Sequence, residues 1–355
     1  MDLYVIIMAG GVGARFWPRS KQKKPKQLLK IFGDQTMIQD TVDRLDGLVR
    51  KENIYVITNK IQQSGIAEKL SKIPIENIIA EPFGKNTAAC IGLASTIINK
   101  KSKDAVTIIL PADHLIKNVE EFKETIKKAA DFAAKSNSLV TIGIKPSRPE
   151  TGYGYIQVVD KEEENGIFKV LTFAEKPNLS TAKRFIESGD FLWNSGMFIW
   201  KTETILNEIK LYLPDLYEGL MKIQHSLDTD SFEETLTEVY GQLVSVSIDY
   251  GIMEKSNKVY LIKGDFAWSD VGSWEEVYHL SPKDNNGNAA KGENYTENTL
   301  NSFIHSPKKF TAVLGLSNII VIDTDDALLI CNRENAQNVK HIVDFLKMND
   351  KNELL

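Results

Sequence analysis

Four continuous apolar runs, rich in Val, Ile and Leu, occupy residues 3–9, 53–58, 105–110 and 138–143. Apolar residues at helical spacing fill 36–49, 87–100 and 119–135 between them. A strand apolar at every position has both faces buried. Strands of that kind alternating with helices predict an α/β fold, a mostly parallel sheet covered by helices on both sides. The first run leads directly into "MAGGVGARFWPRSKQKKPKQ", residues 8–27. Gly10, Gly11 and Gly13 let the backbone bend and approach a ligand, and Arg15, Arg19, Lys21, Lys23, Lys24 and Lys26 make the loop basic. Ligands of such sheets bind beyond the carboxyl ends of the strands, so this loop predicts an anionic visitor.

The chain as a whole carries a formal charge of -5, so the basic loop is a local feature. Neither nucleic acid nor a membrane surface is expected as a partner. Cys90 and Cys331 are the only cysteines and show no metal-ligand spacing, which suits a reducing cytoplasm. The first apolar run is too short to span a bilayer and has no basic stretch before it, so a cytoplasmic location is expected.

From about residue 150 the pattern changes. "TGYGYIQVVDKEEENGIFKVLTFAEKP" predicts two strands joined by an acidic, Gly-ended turn. Helical patterns follow at 180–188, 202–240 and 272–280, with strands near 195–200 and 257–263. Residues 281–310 are polar and turn-rich, a candidate boundary; short strands and a helix over 334–347 follow. The 355 residues suffice for a large domain, 1–283, and a small β-rich one, 284–355. Ala336, Val339, Ile342, Val343 and Leu346 share one face of the terminal helix, facing either the chain's own core or a homodimer interface.

Three readings of the Gly-rich loop compete. It is a solvated turn, a dinucleotide-binding turn, or a wrap for a nucleoside triphosphate built from backbone N–H groups with Arg15 and Lys26 as fixed charges. Phe16 stands where the dinucleotide pattern wants its third glycine, and no Gly-Lys-Ser/Thr completes a P-loop. Pro18 and Pro25 stiffen the loop. The full pattern, Gly-Gly-x-Gly-x-Arg-x-x-Pro-x-Ser followed by Pro-Lys-Gln, resembles the signature of the sugar-1-phosphate nucleotidyltransferases. "EPFGKNTAA" (81–89), "LPADH" (110–114), "TGYGYI" (151–156), "FAEKP" (173–177), "FLWNSGMF" (191–198), "SIDYGIMEK" (247–255) and "WSDVGSW" (268–274) look like that family's blocks, in its order. Trp17, Pro25 and Asn-Ser-Gly-Met resemble the mannose-1-phosphate guanylyltransferase branch, as does "GLSNIIVIDTDDALLICNRENAQNVKHIV" (315–343). Ala14 and Arg19 depart from the family's small polar residue and Leu. No cupin-like domain follows, so an added isomerase activity is not expected.

The resemblance implies a Rossmann-like core and the reaction of mannose 1-phosphate with GTP to give GDP-mannose and pyrophosphate. The nucleophile is a phosphate oxygen whose second pKa is about 6, so no general base is required. The obstacle is one anion attacking another, which Mg²⁺ and fixed cations relieve. By the resemblance, Asp113 and Asp270 hold the Mg²⁺; read singly, each is equally a turn or helix cap. Gly10, Gly11, Gly13, Arg15, Lys26 and Asp113 bind the nucleotide. Asn86 and Thr87 lie near its base or ribose, cap a helix, or do both. Gly154, Glu175, Lys176, Asn194 and Asp249 form the sugar-phosphate end, Glu175 on hydroxyls and Lys176 on phosphate. A plain surface salt bridge is the other reading of the Glu175–Lys176 pair. Trp193, Trp268 and Trp274 are expected to pack, and His114 to be a structural neighbour. A nucleotidyltransferase of another base or sugar, a non-catalytic sugar-nucleotide sensor, and more distantly a dinucleotide oxidoreductase are the rival readings.

Overall fold

The computed structural model describes residues 2–164 and 166–355. Contacts gather the chain into two compact units that are not consecutive in sequence. The first comprises Met1–Gly10, Val42–Ala112 and Ile116–Trp268; the second comprises Gly11–Thr41, Asp113–Leu115 and Ser269–Leu355.

The first unit is built on a nine-stranded sheet. Its strands are β1 (Leu3–Met8), β2 (Ile54–Asn59), β3 (Ile78–Glu81), β4 (Val106–Pro111), β5 (Leu139–Ile144), β6 (Tyr155–Glu164), β7 (Ile167–Ala174), β8 (Phe191–Lys201) and β9 (Val259–Gly264). They lie in the order β3-β2-β1-β4-β8-β5-β9-β7-β6. The apolar runs read from sequence form β1, β2, β4 and β5, each within one residue of the expected limits. The pairings β1–β2, β1–β4, β2–β3 and β5–β9 are parallel. Strand β8 runs antiparallel between β4 and β5, and β7 runs antiparallel to β9 and β6. Most strands therefore point one way, but the sheet is mixed. Of the acidic turn expected between β6 and β7, Asn165 lies outside the described residues.

The helix Asn86–Lys101 is buried nearly all round, so its small residues Ala88, Ala89, Gly92 and Ala94 are a packing requirement. An added Cβ at Gly92 would stand 2.7 Å from Leu220 Cδ1. The helical stretch expected over 202–240 is three helices: Thr202–Tyr212, Pro214–Ser226 and Phe232–Gln242. Pro214 cannot continue a preceding helix but suits the first position of a new one. The helix expected over 36–49 ends at Asp43, ahead of the left-handed Gly47.

The second unit holds short stacked strands: β10 (Ala289–Lys291), β11 (Asn294–Glu297), β12 (Phe303–His305), β13 (Thr311–Leu314), β14 (Ile319–Asp323) and β15 (Leu328–Asn332). The stack runs β10-β12-β14-β15, with Ala289 opposite Phe303 and Phe303 opposite Ile320. Strands β11 and β13 pair alongside. The segment 281–310, read as a polar boundary, thus carries two strands of the stack and one of the pair alongside it. Strands of three or four residues are too short to set a visible period. The terminal helix is Val339–Met348, and Ala336, Val339, Val343 and Leu346 pack with Phe16, Trp17 and Trp274. The face offered above to a homodimer is buried in the chain's own core.

Candidate active site

In the second unit the Gly-rich segment is fastened by its carbonyl groups. Gln27 Nε2 donates to Gly11 O at 3.0 Å, the Lys26 N–H to Val12 O at 3.0 Å, and Ser20 Oγ to Gly13 O at 2.6 Å. In a trans peptide the C=O and the following N–H point opposite ways. Turning three carbonyls inward turns the N–H groups of Val12, Gly13 and Ala14 outward, an arrangement that suits phosphate oxygens. Gly13 is required twice: its φ is +74°, and a Cβ there would stand 2.5 Å from Lys26 Cβ. A Cβ on Gly11 would meet nothing within 4 Å, so a ligand has room to approach. Arg15 is exposed beside it.

Lys26 is 5% exposed. Its ammonium lies 2.8 Å from Asp113 Oδ2 and donates to the Asp270 carbonyl at 2.6 Å. Two of its three donors are thereby spent on joining Asp113 to Asp270. Burial acts to raise the Asp113 carboxyl, but the Lys26 ammonium, His114 and the hydrogen bond from Lys26 outweigh it and hold the group below its usual range. The carboxylate is charged at neutral pH. Among the described residues no cluster of three or more His, Cys, Asp or Glu side chains is placed to hold a metal ion. A site of two carboxylates suits Mg²⁺, which takes one or two from the protein and completes its shell with phosphate oxygens and water. Asp113 and Asp270 are two residues of that type, brought to one ammonium through the Asp113 carboxylate and the Asp270 backbone carbonyl.

In the first unit the residues expected at the sugar end come together. Strand β7 ends at Ala174, and Lys176 takes a left-handed φ of +45° before Pro177. Adjacent side chains on an extended strand point to opposite faces; this turn brings Lys176 Nζ to 2.5 Å from Glu175 Oε1. Glu175 Oε2 lies over Gly154, where an added Cβ would be 2.5 Å away. Gly154 therefore makes room for the Glu175 carboxylate. Asn194, opposite Gly143 in β8, donates to Asp249 Oδ1 at 2.7 Å. Burial raises the Asp249 carboxyl and the Glu175 charge adds to that, against the Asn194 hydrogen bond. The hydrogen bond to Glu175 raises the Lys176 ammonium. Carboxylates and one amide around one ammonium offer acceptors for hydroxyls and a cation for a phosphate.

Asn86 and Thr87 open the Asn86–Lys101 helix. Asn86, exposed and at φ +66°, accepts the Thr87 N–H through Oδ1 at 2.8 Å. Thr87 Oγ1 accepts the Ile248 N–H at 2.8 Å, next to Asp249, so its hydroxyl ties two segments together. Trp193 and Trp274 are buried, as expected of packing residues. Sequence reasoning left Glu81 without a role. It ends β3, is 6% exposed, accepts from Tyr240 OH at 3.1 Å, and points Oε2 toward Gly10. A glutamate closing an apolar strand was the available signal. Lys21, one of the cations of the basic loop, is ion-paired with Asp326.

Residues 4–287 match the model of the nucleotidyl transferase family, and residues 292–346 that of the MannoseP isomerase/GMP-like beta-helix domain. The chain is 38% identical over 356 residues to mannose-1-phosphate guanylyltransferase of Klebsiella pneumoniae, covering 99% of this chain and 75% of that protein. The same figures hold for a mannose-1-phosphate guanylyltransferase of Escherichia coli. Among solved structures, one described as mannose-1-phosphate geranyltransferase from Thermus thermophilus superposes with a TM-score of 0.89 at 30% identity, covering 98% of this chain and all of that one.

Proposed function

This chain belongs to the nucleotidyl transferase family, and from that premise we propose that it transfers GMP from GTP to mannose 1-phosphate, yielding GDP-mannose and pyrophosphate. A phosphate oxygen of mannose 1-phosphate forms a bond to the α-phosphorus of GTP. The bond from that phosphorus to the bridging oxygen breaks, and pyrophosphate leaves with the electron pair. No proton needs to move, since the attacking phosphate is mostly dianionic at neutral pH.

The observation that carries this reading is the inward fastening of the Gly11, Val12 and Gly13 carbonyls beside a buried Lys26 that joins Asp113 to Asp270. The outward N–H groups and Arg15 hold the triphosphate. Lys26 fixes Asp113 and Asp270 so that neither must reorganise as charge develops. Those two residues would hold Mg²⁺, which when bound screens the attacking from the attacked phosphate. Lys176 neutralises the sugar phosphate, and Glu175, Asp249 and Asn194 take the hexose hydroxyls. Asn86 is assigned to the ribose or base.

The test is pyrophosphate release from GTP and mannose 1-phosphate with magnesium present. Wild-type protein should release pyrophosphate and GDP-mannose in equal amounts. Asp113→Asn should lower turnover ~100-fold or more, the scale of losing a key electrostatic contact. No release by wild type, or near-normal turnover by a folded Asp113→Asn protein, contradicts the assignment.

A further inference from the structure

We propose that Arg19 is a positioning residue for the nucleotide half of the reaction, holding the Gly-rich segment in its binding shape through His305 of the stacked strands. This rests on the reading above. Arg19 lies between Arg15 and Lys26 but makes neither's contacts. Its Nη1 is 3.1 Å from His305 Nε2, in β12, and its Nη2 donates to Lys30 O at 3.0 Å. Its guanidinium stands 6.0 Å from the Trp274 ring centroid. One side chain therefore engages three separate stretches of the second unit.

The chemistry of the pair fixes the protonation of His305. A guanidinium only donates, so Nε2 must accept, and the ring is neutral with its proton on Nδ1. The surroundings agree: His305 is 6% exposed, and burial, then Arg19 and Lys291, push its pKa down to about 4. The contact thus persists throughout the neutral range.

The link to the nucleotide is the next residue along. Ser20 Oγ donates to Gly13 O, the carbonyl whose inward orientation turns the Ala14 N–H outward. Trp17 on the other side of Arg19 is held as well, its Nε1 donating to Leu354 O at 3.0 Å and its carbonyl accepting from Trp274 Nε1 at 3.1 Å. Ser20 is also anchored by its N–H on Phe16 O at 3.0 Å, and Gly13 O also accepts the Phe16 N–H at 2.9 Å, so loss of the Arg19 contacts removes one tie among several and lets the Gly13 peptide shift. The residues assigned to mannose 1-phosphate make no use of this chain of contacts, so the effect should fall on GTP alone.

Steady-state kinetics with each substrate varied in turn should compare Arg19→Leu, His305→Leu and His305→Gln, each first shown to be folded by its thermal transition. Arg19→Leu and His305→Leu should raise KM for GTP ~10-fold or more, the scale of a charged hydrogen bond. KM for mannose 1-phosphate should stay within about twofold. Gln keeps an acceptor at residue 305, so His305→Gln should recover most of the GTP affinity. Equal shifts in both KM values, an unchanged GTP KM in folded Arg19→Leu, or no difference between the two His305 variants overturns the proposal. Were the wild type to turn over neither substrate, the functional reading fails. Calorimetric titration of the same variants with GTP and magnesium then tests the positioning role by itself, a loss confined to Arg19→Leu and His305→Leu sustaining it and equal binding overturning it.

Discussion

Glu81 carries a protonation equilibrium that the folded chain has moved into the neutral range. Burial pushes its carboxyl up to about 7, with the Tyr240 hydrogen bond opposing the rise. The unfolded value is 4.5. Between these two values the native state keeps a proton that the unfolded chain has released. More protons bound in the native state means that stability falls as pH rises, and the fall is complete above the folded value. A shift of this size corresponds to about 3 kcal/mol. Urea unfolding at pH 5 and pH 8 should show the wild type losing stability on that scale. Glu81→Gln, which has nothing to ionise, should lose much less across the same interval, and an equal loss in both proteins refutes the account. The residues proposed for the site stand out in sequence because their types suit the chemistry: Asp113 after an apolar strand, and Arg15 and Lys26 in a glycine-rich loop. Their partners do not. Nothing in the sequence indicates that Lys26 is buried between Asp113 and the Asp270 carbonyl, because that contact depends on the packing of three distant segments.

At the scale of elements, the turn after β7 brings two adjacent side chains to one place. Lys176 at φ +45° turns "AEKP" into a corner, and Lys176 meets Glu175 there. As a surface salt bridge alone the pair is worth at most about 1 kcal/mol and has no kinetic signature. As part of the sugar site, Lys176→Ala should raise KM for mannose 1-phosphate ~10-fold or more while KM for GTP changes little. Arg15→Ala should do the reverse. Initial rates with one substrate saturating and the other varied separate the two cases; unchanged sugar-phosphate kinetics in Lys176→Ala would reduce the pair to a turn. Strands β1, β2, β4 and β5 were legible because burial on both faces leaves an unbroken apolar run. Strands β10, β11 and β12 were not. Each is three or four residues long, and β11 is largely exposed, so the stack is defined by pairing between turns of the chain.

At the scale of the whole molecule, contacts divide the chain differently from its linear order. The Gly-rich segment joins the stacked strands and terminal helix in one unit, through Phe16, Trp17 and Leu29 packed with Trp274, Phe303 and Val339. Linear reading placed that segment with the sheet whose first strand precedes it, because composition reports where an element begins and not what it packs against. The residues assigned to the triphosphate and metal belong mainly to the second unit, and those assigned to the sugar to the first. The proposed function joins a nucleotide to a sugar phosphate. Its central claim is the pairing of one base with one sugar phosphate, and the direct measurement is pyrophosphate release for GTP, ATP, UTP and CTP, each with mannose 1-phosphate and with glucose 1-phosphate. GTP with mannose 1-phosphate should exceed every other pair in kcat/KM by ~10-fold or more, the least that a single small pocket difference contributes to discrimination. An equal or higher value for any other pair, or no release from any of the eight, would contradict it.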